Sequence, residues 1–145
     1  MGKGYDRILV PIDFGDQSDG ILDAAERILA PERRMTLLHI VEWLPQVTEA
    51  SFGIYAHRKD LEKIKDLSQQ KLDRLAKRLP AERVDARVLE GKPAMTILEV
   101  AAEVQAEVIV MGTHGRSRLD KLLIGSVAER VLRKAEQAVF LIRQR

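Results

Sequence analysis

Two rhythms of apolar residues alternate along this chain. Short β-branched runs read as buried strands, and stretches with apolar side chains at helical spacing lie between them. Residues 7–12 (Arg-Ile-Leu-Val-Pro-Ile) form the first such run. Residues 17–30 follow, with Ile21, Leu22, Ala24, Ala25, Ile28 and Leu29 on a helical repeat that Pro31 closes. Residues 35–41 predict a second strand, whereas 43–57 show no clear period. Residues 58–79 carry Leu61, Ile64, Leu72, Leu75 and Leu79 on one face and predict a helix ended by Pro80. The half-polar run 83–89 predicts a third strand, nearer a sheet edge. Pro93 suits the first position of the next helix, whose buried stripe is Ala94, Ile97, Leu98, Ala101 and Ala102. Residues 107–111 predict the fourth strand, a helix starts at Val127, and 139–142 predict the fifth strand.

Strands alternating with helices in this way predict an α/β fold, a parallel sheet with helices on both faces and right-handed crossovers. With no internal repeat or convincing linker, residues 1–145 read as one domain. Open sheets of this kind take ligands outside the carboxyl ends of the strands, where the strand order reverses. The first strand runs out in Pro11-Ile12-Asp13 and the fourth in Met111-Gly112. If these two strands are neighbours, both ends face one crevice.

The densest candidate chemistry follows the fourth strand, in Gly112-Thr113-His114-Gly115 and then Gly125-Ser126 before the last helix. A phosphate that accepts several backbone N–H bonds must come close to the main chain, and a Cβ blocks that approach. Ser126 with Glu129 matches a capping box, which would start the helix at the loop's end and aim its dipole at an anion. Arg116, Arg118 and Lys121 make the loop cationic. The alternative is plain turn chemistry, with the glycines shaping bends and the cations solvated. The standard P-loop and dinucleotide motifs are missing, and Gly2-Lys3-Gly4 lies before the first strand.

Composition removes several classes. The chain has no Cys, which excludes a disulfide framework, a thiolate zinc site and a Cys nucleophile. Its 24 basic and 22 acidic residues are interspersed and leave a net charge of +2, so no basic block marks a nucleic-acid surface. No apolar run reaches the ~18 residues of a membrane span. The polar start, Met1 to Arg7, carries no leader pattern, so the expected location is the cytoplasm.

Gly112-x2-Gly115-x9-Gly125-Ser126 resembles the G-2x-G-9x-G-[ST] signature of the universal stress protein (UspA) family. Ile8 to Asp13, Leu37-Leu38-His39-Ile40-Val41 and Val108 to Gly115 extend the resemblance over essentially the whole chain. It implies a Rossmann-like five-stranded parallel sheet of order 3-2-1-4-5 and membership of the ATP-binding branch. Carried over by position, it implies that Pro11, Ile12, Asp13 and Val41 form the adenosine pocket with Met111 beside it. Gly112 would approach the ribose. Gly115, Gly125, Ser126 and Val127 would hold the phosphates; by their place in the loop, His114 and Arg116 are further candidate contacts. The resemblance also implies Mg2+ or Mn2+ held mainly by phosphate oxygens, with no protein metal cage. It implies a homodimer through the last strand, Val139, Phe140, Leu141 and Ile142. An apolar edge strand left bare is an aggregation liability, which gives dimerisation a local reason too. The family often begins that strand with Pro where Ala138 stands here.

Each of these residues has a simpler reading beside the functional one. Asp13 at a strand end can form an Asx-turn. Val41 and Met111 are core residues that can also present a face to a base. His39, in an apolar strand, reads as a satisfied structural histidine, His57 as a surface residue, and the three histidines lack metal-ligand spacing. Trp43, Phe52 and Tyr55 are either packing residues or a flap over the nucleotide. Asp13 is the one carboxylate placed near the crevice, and hydrolysis also needs an oriented water and charge neutralisation. The expected function is therefore an ATP-binding regulatory protein with at most weak hydrolysis. A slow ATPase or phosphotransfer enzyme and a nucleotide-free dimerisation module are the alternatives.

Overall fold

The computed structural model describes residues 4–42, 51–114 and 124–143, the side chains of 51–59 excepted. The chain runs β1 (Tyr5–Pro11), α1 (Ser18–Ile28), β2 (Leu29–Val41), α2 (Ser51–Ala76), a 3-10 turn (Ala81–Arg83), β3 (Val84–Glu90), α3 (Pro93–Glu103), β4 (Val108–Gly112), α4 (Ser126–Lys134) and β5 (Ala138–Ile142). The strands form one five-stranded sheet in the order β3-β2-β1-β4-β5, and every pairing is parallel. The α/β class, the strand order and the edge position of β3 agree with the expectation from sequence.

Strand alternation sorts the core into two layers. Ile8, Val10 and Ile12 of the β1 segment point to one face with Val108 and Val110, where Ile21, Leu22 and Ala25 of α1 and Leu72 of α2 cover them. Leu9, Ile109 and Met111 point to the other face, under Ala94, Ile97, Val100 and Ala101 of α3 and Ala128 and Val131 of α4. Leu9 and Ile109 are fully buried, which is worth about 1.5–3 kcal/mol for each such side chain. The central strands β1 and β4 therefore cannot slip by one residue without exchanging their whole apolar sets between layers.

Several boundaries differ from the sequence expectation. Helix α1 stops at Ile28, before Pro31, because the residue preceding a proline is pushed towards extended backbone. Its C-cap Leu29 already has ψ 126. Tyr5 pairs with Leu29 and Arg7 with Arg34, so the β1–β2 ladder is irregular at its start, and Glu32 has φ 61 there. Helix α2 begins at Ser51, earlier than its amphipathic repeat, because extending an existing helix gains one hydrogen bond for each residue added. Among the described residues, no helix is long and apolar enough to cross a membrane.

Candidate functional site

Chain order reverses between β1 and β4, which pair in parallel at Ile8 with Val108 and Leu9 with Ile109. Beyond their carboxyl ends lies a cavity of about 610 Å³. That volume lies in the range of about 300–1,000 Å³ usual for small-molecule sites. Pro11, Ile12 and Asp13 form its wall after β1, Val41 closes β2, and Met111, Gly112 and His114 follow β4. Gly125, Ser126 and Val127 face it from the start of α4. Gly115 and Arg116 lie outside the described residues.

The β1–α1 turn is built by its own side chains. Asp13 Oδ1 accepts the Gly15 N–H at 2.8 Å, an Asx-turn, and Ser18 Oγ donates to the Gly15 carbonyl at 2.8 Å. Phe14, between them, has φ 61, a conformation that costs a bulky L-residue roughly 1–2 kcal/mol. The turn thus puts Asp13 at the cavity wall while satisfying one of its carboxylate oxygens.

The neck of the glycine loop is closed by backbone. Thr113 N–H donates to Ile142 O at 3.2 Å, and Gly125 N–H donates to Thr113 O at 2.6 Å. The Gly125 carbonyl accepts the Glu129 N–H at 2.9 Å, which makes Gly125 the cap residue and Ser126 the first residue of α4. The expected capping box is corrected here, because no side chain caps this helix. The physical reason is the tie from Gly125 to Thr113, which fixes the turn one residue earlier. First-turn N–H groups have no acceptor within their helix, and those of Ser126, Val127 and Ala128 belong to residues lining the cavity.

Gly112 has a second reason to be glycine. A Cβ there would stand 2.5 Å from Gln17 Oε1 and 3.2 Å from Ile21 Cδ1, both from the α1 side. Its missing side chain therefore seats α1 against β4. Two buried polar atoms at this end have no hydrogen-bond partner among the described residues, Gln17 Oε1 and His114 Nε2. His114 Nδ1 lies 3.0 Å from Thr113 Oγ1, so the ring is held through one nitrogen.

Sequence reasoning missed the far wall. Ile64 and Ser68 from α2 and Pro93 and Ile97 from α3 line the same cavity, as does the carboxylate-bearing Glu42. Asp13 is thus not the sole acid at the crevice. Pro93 carried a visible signal, since a helix start after a parallel strand lies at the sheet's carboxyl edge; Ile64 and Ser68 carried none. His39 is buried and hydrogen-bonded, as expected, yet it also lines the cavity. Among the described residues, no group of three or more His, Cys, Asp or Glu could hold a metal ion.

The sequence profile described as the Universal stress protein family matches residues 4–143. The chain belongs to the universal stress protein family. A universal stress protein of Methanocaldococcus jannaschii is 31% identical over 147 residues, spanning 97% of this chain and 83% of its own. A second protein of that organism, solved as a test of structure-based assignment of function, superposes with a TM-score of 0.82 at 24% identity over 97% of each chain. A universal stress protein crystallised with cAMP gives a TM-score of 0.64 at 25% identity, over 97% of this chain and 98% of its own. Within the family's fold, the ten expected site residues that are described here all reach one cavity.

Proposed function

We propose that this universal stress protein binds ATP in the cavity at the β1–β4 switch point and acts as a nucleotide-dependent regulatory protein. The observation that carries the reading is the convergence of bare backbone on that cavity: Gly112, the Gly125 cap and the open first turn of α4. The helix end offers N–H donors and a favourable dipole to phosphate oxygens. His114, whose Nε2 has no partner among the described residues, also lines this cavity. Pro11, Ile12, Val41 and Met111 supply the apolar walls that a purine needs, with Asp13 at its edge. The cAMP carried by the relative supports an adenine nucleotide as the ligand class.

Gly115 and Arg116 belong to the same phosphate set, and Mg2+ or Mn2+ would be held mainly by the phosphates. Binding outweighs catalysis in this reading. Asp13 already accepts the Gly15 N–H, and in this reading it stands nearer the nucleoside than the terminal phosphate. The protein would work as a cytoplasmic homodimer joined through Val139, Phe140, Leu141 and Ile142. β5 is an edge of the sheet, and Phe140 is 37% exposed on it.

Calorimetry tests the reading directly. Wild-type protein should bind ATP, and Gly115→Val with Gly125→Val should abolish binding while the fold persists. Unchanged ATP affinity in the double variant rejects the phosphate assignment. Rapid phosphate release lost in Asp13→Ala would favour an ATPase, and no binding of any adenine nucleotide would favour a dimerisation module.

A further inference from the structure

One buried side chain grips the residues on both sides of Asp13. His39 stands on β2, 7% exposed, with Nδ1 2.6 Å from the Ile12 carbonyl oxygen. A carbonyl only accepts, so Nδ1 carries the proton and donates. The same ring packs on Phe14, with centroids 4.2 Å apart and planes inclined by 34°. Phe14 sits at φ 61, in the left-handed region that an aromatic residue rarely adopts. Lys71 Nζ from α2 lies 5.5 Å from the centre of the Phe14 ring. The strand end that carries Asp13 is therefore held from β2 through two contacts that meet at one imidazole, and Lys71 of α2 lies over the Phe14 ring.

We infer that His39 is a positioning residue for the nucleoside end of the site, acting through Ile12 and Phe14 on Asp13. This rests on the nucleotide reading above. Fixing both flanks of Asp13 before the ligand arrives removes an ordering cost from binding. Packing alone would need a ring at position 39 but no donor, whereas positioning needs the Nδ–H. Two substitutions separate these. His39→Phe keeps a ring and removes the donor. His39→Asn keeps a donor near the Nδ1 position and removes the ring.

The test measures adenosine and ATP affinity by calorimetry, unfolding temperature, and amide hydrogen exchange at Gly15, whose N–H is bonded to Asp13 Oδ1. In His39→Phe, adenosine and ATP affinities should fall together by about tenfold, the equivalent of one hydrogen bond. Gly15 exchange in the ligand-free protein should quicken by a similar factor. His39→Asn should recover most of the affinity even if it unfolds at a lower temperature. Wild-type affinity in His39→Phe overturns the inference, and so does affinity in the two variants that merely tracks their unfolding temperatures. If His39→Phe does not fold, His39→Leu carries the test, since it also removes the donor and fills the buried position with a smaller apolar side chain. The same loss is expected there, and wild-type affinity overturns the inference. Wild-type protein that binds no adenine nucleotide removes the nucleotide reading and the role of His39 with it. Binding by the wild type beside unimpaired variants removes the role of His39 alone.

Discussion

The two ends of the sheet are finished in opposite ways. At the amino end, the chain's own charged groups complete the hydrogen bonding of the backbone. Glu107 Oε2 accepts the N–H groups of Asp6 at 2.6 Å and Arg7 at 3.2 Å. Arg7 Nε donates to Gln105 O at 2.7 Å, and Arg83 donates to Arg33 O and Ala30 O at 3.1 and 3.3 Å. At the carboxyl end lie a 610 Å³ cavity and two buried polar atoms without described partners. An unsatisfied buried polar group costs about 1–3 kcal/mol. Among the described residues, such groups gather at the end that carries the cavity, whereas the amino end is latched by its own side chains.

The comparison breaks most visibly at Gly125. Its φ of −64 and ψ of 158 are open to any residue, so a side chain there changes the surface more than the backbone. Gly125→Val should cost about 1 kcal/mol of stability, as a branched residue replaces glycine at a helix cap. Its effect on ATP should be larger, at least a hundredfold in affinity or about 2.8 kcal/mol, while adenosine affinity stays within a few-fold. Equal losses for adenosine and ATP would mean that the α4 end does not meet the phosphates.

A smaller effect is expected at Gly112, where packing and ligand readings diverge. Gly112→Ala would drive a Cβ towards Gln17 Oε1, the free end of a flexible side chain, while Ile21 needs to give only slightly. The cost should therefore sit near the low end of overpacking, about 1 kcal/mol. Gln17→Ala added to Gly112→Ala should recover most of it, because the two residues share one contact. Additive losses in denaturant titrations would remove Gln17 as the reason for this glycine.

These sites also show what was legible in the sequence. The five strands and their faces follow from alternation and β-branching, as Ile8-Leu9-Val10 and Val108-Ile109-Val110 show by dividing between the two core layers. The β1, β4 and α4 parts of the site were legible because they lie at element ends marked by Pro, Asp and Gly. The α2 wall was not, since Ile64 and Ser68 look like ordinary helix positions until packing brings them to the cavity. Nor was the grip of His39 on Ile12, which spans 27 residues of sequence. The false capping box at Ser126 failed for the same reason, because the deciding bond comes from Thr113 across the loop.

The smallest effect belongs to the amino end and carries a pH signature. The backbone N–H groups of Asp6, then of Arg7, hold the Glu107 carboxyl below the ordinary glutamate value of 4.5. A depressed folded value means that the carboxylate stabilises the fold fully above about that pH, and that this contribution is lost as pH falls through the folded value. Glu107 is exposed, so solvent screening keeps the contribution small. Glu107→Gln removes the charge at every pH. The wild type should therefore lead the variant by a constant small margin from neutral pH down to about pH 5, and the two should converge as the solution becomes more acid. Urea midpoints at pH 7, 5 and 3 measure this margin. A margin that persists unchanged at pH 3 would mean that the latch owes nothing to the carboxylate charge.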